Sequence, residues 1–395
     1  MKLGRPLLVI IPDRVSQIIT KGEYQPRYYN PGGVFDDVHL LLTNDDQPDI
    51  AALQRTVGRA RLTVHNLPED ENPMYLPPTL LGRWKRWHAL RRWAEPAVQL
   101  ARRINPALVR CHSADFNAFA ASRIKRALGT PYVVSLHINP DINAVRRPPP
   151  QSLAEERRNL AWEDLEREGL RHADLALPVY RSILPYLDRL GIKRRQVAYN
   201  VLNSDYLAAK TEYTLHDPVR VISVGRQIPE KNPAPIIQAV ARIPGMQLTL
   251  VGDGSIHDHL RDIVQKLGVS DRVLFEPAIA NDRLCHMLPD FDIFAVHTEY
   301  AELNKSVLEG LLTGLPLIIN RRSGVPVPEL DQADFVFTVE NTEESYYAAL
   351  LELINNHDLR ERLGRRAFAR ARADWAPEIT EAAYVDIYRR LARHS

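Results

Sequence analysis

The stretch "EYAELNKSVLEGLLTGLP", residues 299 to 316, sets three glutamates just before and just inside a short apolar helix. Asn304 is the expected N-cap, Lys305, Ser306 and Val307 the first turn, and Gly314 with Pro316 the stop. A helix start flanked by a lysine and a serine suits an anion, because first-turn amides and the helix dipole both favour negative charge. Glu309 falls one turn further in, among Val307, Leu308, Leu311 and Leu312. Its two acceptor oxygens suit the vicinal hydroxyls of a ribose; the plainer alternative is a surface pair with Lys305 at i,i+4. A second cationic element, "GRQIPEKNPAP", places Arg226 and Lys231 after a strand end and ahead of a helix expected near Pro233. Two cations there fit a diphosphate, against the alternative of solvated loop charges.

Short apolar runs must position these residues. "LLVII" (7 to 11), "VHLLL" (38 to 42), "RLTVH" (61 to 65), "ALVRC" (107 to 111), "YVVSLH" (132 to 137) and "ADLALP" (173 to 178) alternate with helix-periodic stretches. That is the βαβ pattern of a doubly wound sheet. A polar connection, "NSDYLAAKTEYTLHDP", follows, and the pattern restarts with "VRVISVG", "QLTLVG", "RVLF", "DIFAV" and "LPLII", which puts a domain boundary near residue 210. Two such units leave a cleft, and ligands of open parallel sheets sit at the carboxyl ends of the strands.

With 395 residues, two domains are the natural division, and a formal charge of +2 gives no global preference for nucleic acid. Cys111 and Cys285, the only cysteines, stand far apart without metal-ligand spacing, which fits a reducing compartment. The run "PLLVII" is too short for a signal sequence, and no apolar run approaches a membrane span, so a cytoplasmic location is expected. The segment 82 to 104 carries a stripe of Trp87, Leu90, Ala94, Val98 and Ala101, flanked by Trp84 and Trp93, with Lys85, His88 and Arg92 opposite. An amphipathic helix with a solvated basic face is the plain reading. Peripheral contact of that face with anionic lipid at the inner membrane surface is the sharper one. Pro96 points to a kinked helix or to two helices.

Taken together, "GRQIPEK" (225 to 231), "VGDG" (251 to 254), "EGLLTGLPLI" from Glu309 and the closing "DWAPEITEAAYVDIYRRL" give a chain that resembles the retaining glycosyltransferases of family four. The resemblance covers the second domain well and the first loosely. It implies the GT-B fold: two Rossmann-like, doubly wound α/β domains facing a cleft. Residues 1 to 210 would bind the acceptor, with a C-terminal helix from about 376 to 395 crossing back to them, and residues 211 to 375 would bind a nucleotide-sugar donor. The implied activity is transfer of a sugar from a nucleoside-diphosphate sugar to a glycan, lipid-linked or small-molecule acceptor, with retention and with no metal or other cofactor. By the same resemblance Glu309 takes the ribose, Arg226 and Lys231 hold the diphosphate, and His137 in "SLHINPD" stands beside the donor sugar. Lys305 and Ser306 complete the anion cradle.

The family's glutamates are separated by seven residues, and counting back from Glu309 lands on Ala301. Glu302, one place later, is the expected substitute at the transferred sugar, with Glu299 as the second. The glycine pair usual after the first strand is also absent; "NPGG" (30 to 33) supplies a close-approach loop or only a turn. "DFD" (290 to 292) imitates a metal-binding D-x-D, yet Asp292 reads better as the start of a strand, and "VGDGSIH" has His257 where a dinucleotide fingerprint needs glycine. A nucleotide-sugar epimerase and a non-catalytic nucleotide-sugar binder share the expected architecture and stay open.

Overall fold

The computed structural model describes residues 3–20, 22, 25–144, 146–202, 206–322, 324, 326–331 and 333–393. Residues 203–205, inside the expected inter-domain connection, lie outside this set. The apolar runs become strands: β1 (Leu7–Ile11), β2 (Asp37–Leu42), β3 (Arg61–Asn66), β4 (Leu108–His112), β5 (Tyr132–Leu136) and β6 (Leu175–Pro178). They form one parallel sheet in the order β3-β2-β1-β4-β5-β6. Every residue of β1, β4 and β5 is buried, as both faces of a parallel sheet are covered.

A second sheet repeats the scheme with β7 (Val219–Val224), β8 (Met246–Val251), β9 (Val273–Glu276), β10 (Ile293–Val296), β11 (Leu317–Asn320) and β12 (Phe337–Val339). Its order is β12-β11-β10-β7-β8-β9, again all parallel. In both sheets the strand order reverses beside the first strand, between β1 and β4 and between β7 and β10. Such reversals part the flanking connections and open a crevice at the carboxyl ends. β12 has no counterpart among the expected strands, because three residues at a sheet edge carry too short a pattern to read.

The chain divides into two units. One comprises Met1–Thr20, Tyr24–Val201 and Thr380–Ser395; the other comprises Lys21–Glu23 and Leu202–Ile379. The closing helix Pro377–Ala392 thus delivers Tyr384, Ile387 and Tyr388 to the core of the first unit. Its seat is "NPGG". Glu381 accepts from the backbone N–H of Gly32 at 2.8 Å and from Arg27 at 2.8 Å. A Cβ on Gly32 would stand 2.4 Å from Val385, so this glycine serves helix docking.

The same helix explains a charge in the middle of β4. Arg110 is buried, donating to Tyr388 Oη at 2.9 Å, Ser135 Oγ at 3.1 Å and the Tyr28 carbonyl at 3.1 Å, with Tyr384 4.7 Å beneath it. The segment around Pro96 is one helix, Leu80–Ile104, which removes the two-helix alternative. Its Leu90, Ala94, Val98 and Ala101 are buried as the stripe requires, while Trp84 is 63% exposed. Asp292 is taken up structurally: it accepts from His216 Nδ1 at 2.9 Å and from the Arg220 amide at 2.9 Å.

Candidate active site

The reversal between β7 and β10 is built from backbone. Beyond β7 the chain turns at Gly225, whose amide donates to Val251 O at 2.9 Å; the Gln227 amide then donates to Asp253 O at 2.9 Å. Gln227 is buried, and its side chain closes the join by donating to Gly252 O at 2.7 Å and meeting His257 Nδ1 at 2.7 Å. The glycines of "VGDG" are what permit this. A Cβ on Gly252, which has φ 131°, would lie 2.0 Å from Gly225 O, and one on Gly254 would lie 2.2 Å from Gln227 O. No side chain fits between the two loops.

A small recess opens at this join, lined among others by Ser223, Gly225, Gln227, Lys231, His297 and Asn304. The helix Lys305–Thr313 begins at its edge. Asn304 occupies the N-cap position in an extended conformation, but its side chain makes no capping hydrogen bond, so the first-turn amides are not consumed by the cap. Gly314 ends the helix in the left-handed conformation, as its sequence indicates. Ser306 is used differently from the expectation: its hydroxyl donates to Val224 O at 3.2 Å, pinning the helix start to the end of β7. Lys305 is half-buried and Arg226 exposed.

Lys231 and Glu302 come together as an ion pair. Both are mostly buried, at 13% and 22% side-chain exposure, and the Lys231 ammonium also lies 5.4 Å from the ring centre of Tyr300. Burial, then Glu230, raises the Tyr300 hydroxyl, with Arg226 opposing, which places that guanidinium in the same neighbourhood. Glu299 is held elsewhere. Its carboxylate meets His297 Nε2 at 2.9 Å and lies 3.5 Å from the amides of Asn320 and Asn341.

Glu309 is 2% exposed, which overturns the surface-pair alternative. Asn281 Nδ2 donates to one of its oxygens at 2.7 Å, and the helix packs so closely on β10 that a Cβ on Gly310 would meet Phe294 at 3.0 Å. A buried carboxylate aimed by an amide is a positioned acceptor. His137, in the first unit, follows β5; its carbonyl accepts from Tyr180 Oη at 2.5 Å, and its ring lies 5.1 Å from that of His112. Among the described residues no cluster of metal-ligating side chains occurs.

Several contributors were not singled out from sequence. Gln227 carries no signal of its own inside its loop, and Asn281 stands 28 positions from Glu309. His297 carried a readable signal, a histidine directly beyond a strand at the reversal point.

Comparison with known proteins follows the same division. Residues 32–200 match the Glycosyl transferase 4-like domain and residues 209–370 the Glycosyl transferases group 1 family. The lipopolysaccharide core biosynthesis glycosyltransferase LpsE of Rhizobium meliloti is 30% identical over 221 residues, 55% of this chain and 64% of that protein. For two further curated relatives the matched length is 35% and 50% of theirs, so the chain aligns with less than two thirds of each. Sucrose-phosphate synthase from Thermosynechococcus elongatus superposes with a TM-score of 0.72 at 16% identity, covering 99% of this chain and 100% of that one. Anabaena HepE in complex with UDP gives 0.70 at 16%, covering 98% and 99%. These likenesses establish the GT-B fold. With one glycosyltransferase model matching each sheet, the chain belongs to the group 1 glycosyltransferase family.

Proposed function

We propose that the protein is a retaining glycosyltransferase that moves a sugar from a nucleoside-diphosphate donor to a hydroxyl of a glycan, lipid-linked or small-molecule acceptor. The observation that carries this reading is the recess at the β7/β10 reversal, where Lys231 and an uncapped helix start meet glycine backbone. There Lys231, Arg226 and the first-turn amides beside Lys305 and Ser306 would bind the diphosphate and stabilise the charge that develops as it leaves. Glu309, aimed by Asn281, accepts from the ribose hydroxyls. A UDP-sugar is the donor to try first, because Anabaena HepE, which shares the fold, has been solved in complex with UDP and with UDP-glucose.

In the transfer step the bond from the anomeric carbon to the β-phosphate oxygen breaks, and the acceptor oxygen bonds to that carbon on the same face. The acceptor's proton passes to the departing phosphate, so no protein base is required. Glu302 would contact the transferred sugar, and its pairing with Lys231 adds a second duty. A diphosphate arriving at Lys231 competes for the ammonium and releases the Glu302 carboxylate toward the sugar. His137 is assigned to the same sugar by family resemblance.

The decisive measurement is turnover of UDP-, GDP- and ADP-sugars with and without candidate acceptors, with product stereochemistry read by NMR. Retained anomeric configuration and activity that survives a chelator are expected. Inverted product would overturn the mechanism. A donor converted without acceptor, its sugar still on the nucleotide, would mark an epimerase; nucleotide binding with no turnover would mark a binder.

A further inference from the structure

The first unit has a groove walled by three helices, Leu80–Ile104, Phe116–Leu128 and Leu153–Arg171. Six arginines line it, Arg83, Arg91, Arg123, Arg126, Arg167 and Arg171, against only two carboxylates, Asp164 and Glu168. The whole chain carries a formal charge of just +2, so this is a local concentration of positive charge. Arg83 pairs with Asp164 at 3.7 Å, Arg126 and Arg171 share Glu168, and Arg167 pairs with Glu163 at 2.8 Å. Arg91 and Arg123 enter no ion pair among the described residues. Burial, followed by the charges of Arg126 and Arg91, lowers the Arg123 guanidinium from its usual value, with Glu95 and Glu168 opposing. Trp87 and Phe119 form the groove's apolar floor, with ring centres 5.8 Å apart.

Apolar side chains rim the same face. Leu80, Leu81 and Trp84, on the first turn of the tryptophan-bearing helix, are 89%, 60% and 63% exposed. Leu160 is 58% exposed, one turn before the Asp164 that holds Arg83. Tyr75 is 61% exposed, with the Arg158 guanidinium 5.8 Å from its ring centre, which joins this rim to the helix that Leu153 begins at 68% exposure. Leucines that project this far gain nothing from water or from the core. They gain from entering an apolar phase, and the arginines between them are planar fork donors matched to phosphate.

We infer that this arginine groove with its apolar rim is a docking surface for an anionic phospholipid bilayer, the guanidiniums taking lipid phosphates while Leu80, Leu81 and Trp84 enter the interface. The surface belongs wholly to the first unit, and binding to it needs neither donor nor acceptor. A failed transferase assay and a failed membrane assay are therefore separate results.

The test is co-sedimentation of the full chain with phosphatidylcholine vesicles and with vesicles of phosphatidylcholine mixed with phosphatidylglycerol. Binding to the mixed vesicles should be at least about tenfold tighter and should weaken as salt rises. The double variant Arg91→Glu/Arg123→Glu should fall to the level of phosphatidylcholine alone. Leu80→Ser/Trp84→Ser should lose a large part of the binding while keeping its salt dependence. Unchanged thermal unfolding of both variants shows that they are folded. No preference for the anionic vesicles, or full binding by the charge-reversed variant, overturns the inference. So does saturable binding of inorganic phosphate by these arginines without vesicle binding, which would make the groove a site for a small soluble anion.

Discussion

The two sheets reverse their strand order at the same place, yet one reversal is dressed in backbone and the other in side chains. At the β7/β10 point Gly225, Gly252 and Gly254 bring loop backbones together, and the helix beginning at Lys305 has no side-chain cap. At the β1/β4 point the helix Val15–Thr20 already has its anion: the Asp46 carboxylate accepts from the Ser16 amide at 2.8 Å and from its hydroxyl at 2.5 Å. Burial works against that carboxylate, but the hydrogen bonds win and hold it below the usual range. Just beyond β4, Ser113 takes a left-handed conformation, with φ 77°, and donates to Asp115. One topology thus leaves a bare recess, the diphosphate site we propose, where the chain withholds side chains, and a filled pocket where it supplies them.

The largest effect should come from adding a side chain to the bare reversal. Gly254→Ala forces a Cβ to 2.2 Å from Gln227 O, so the two loops must part, and nucleotide binding by calorimetry should be lost. Asp46→Ala in the other unit should cost roughly 1 kcal/mol of stability, as a lost cap does, and leave nucleotide affinity unchanged. If both variants bind nucleotide normally, the contrast between the reversals has no functional meaning.

Next in size is the cation. Lys231→Ala should lower turnover by about 100-fold or more, because a preorganised charge acts most strongly where the leaving group gains charge. Glu302→Gln separates its two duties. As a sugar contact it should lower transfer while leaving affinity for free nucleoside diphosphate unaltered; as Lys231's holder it should alter that affinity as well. Equal behaviour of Glu299→Gln would shift the sugar contact to Glu299, whose carboxylate the structure ties to His297.

Glu309→Gln should weaken nucleoside diphosphate binding by about tenfold, since one of two aimed acceptors becomes a donor. Asn281→Ala should cost less, because it removes only the group that aims the carboxylate. An unaltered affinity in both would return Glu309 to a structural role.

The local elements of the second unit's candidate site were legible ahead of the structure because they are written in contiguous motifs. Gly225 to Lys231, Gly252 to Gly254 and Asn304 to Gly314 each carry their own turn or cap signal. Pairings across the fold were not legible. Lys231 with Glu302, Asn281 with Glu309 and Gly32 with Glu381 join residues 71, 28 and 349 apart, and no local pattern marks such partners. Arg110 is the sharpest case, since a charge inside a central strand argues against that strand until Tyr384 and Tyr388 return from the chain's other end.

The smallest expected effect sharpens the comparison at the filled reversal. There the Thr43 hydroxyl lies 2.8 Å from Asn117 Oδ1 and 2.8 Å from Glu69 Oε1. Asn117 Nδ2 donates to His112 O at 2.7 Å, which fixes Oδ1 as the atom facing Thr43. Thr43 has one proton for two acceptors: it donates to Glu69 when that carboxyl is ionised, or to Asn117 when a protonated Glu69 donates to the Thr43 oxygen instead. Burial and then Asp115 and Glu71 push that carboxyl up to about 8, against the hydrogen bond from Thr43 and the charge of Arg146. A carboxyl raised in the fold keeps its proton there while the unfolded chain has lost it. Its contribution is therefore complete below the ordinary value of 4.5 and drains away as pH rises toward about 8. Glu69→Gln supplies a permanent donor and removes this drain, so the variant's melting temperature should gain on the natural protein's as pH rises through that window. A difference that stays flat with pH would mean that Glu69 is ionised in the fold, and the two reversals would then differ in shape but not in how they treat charge.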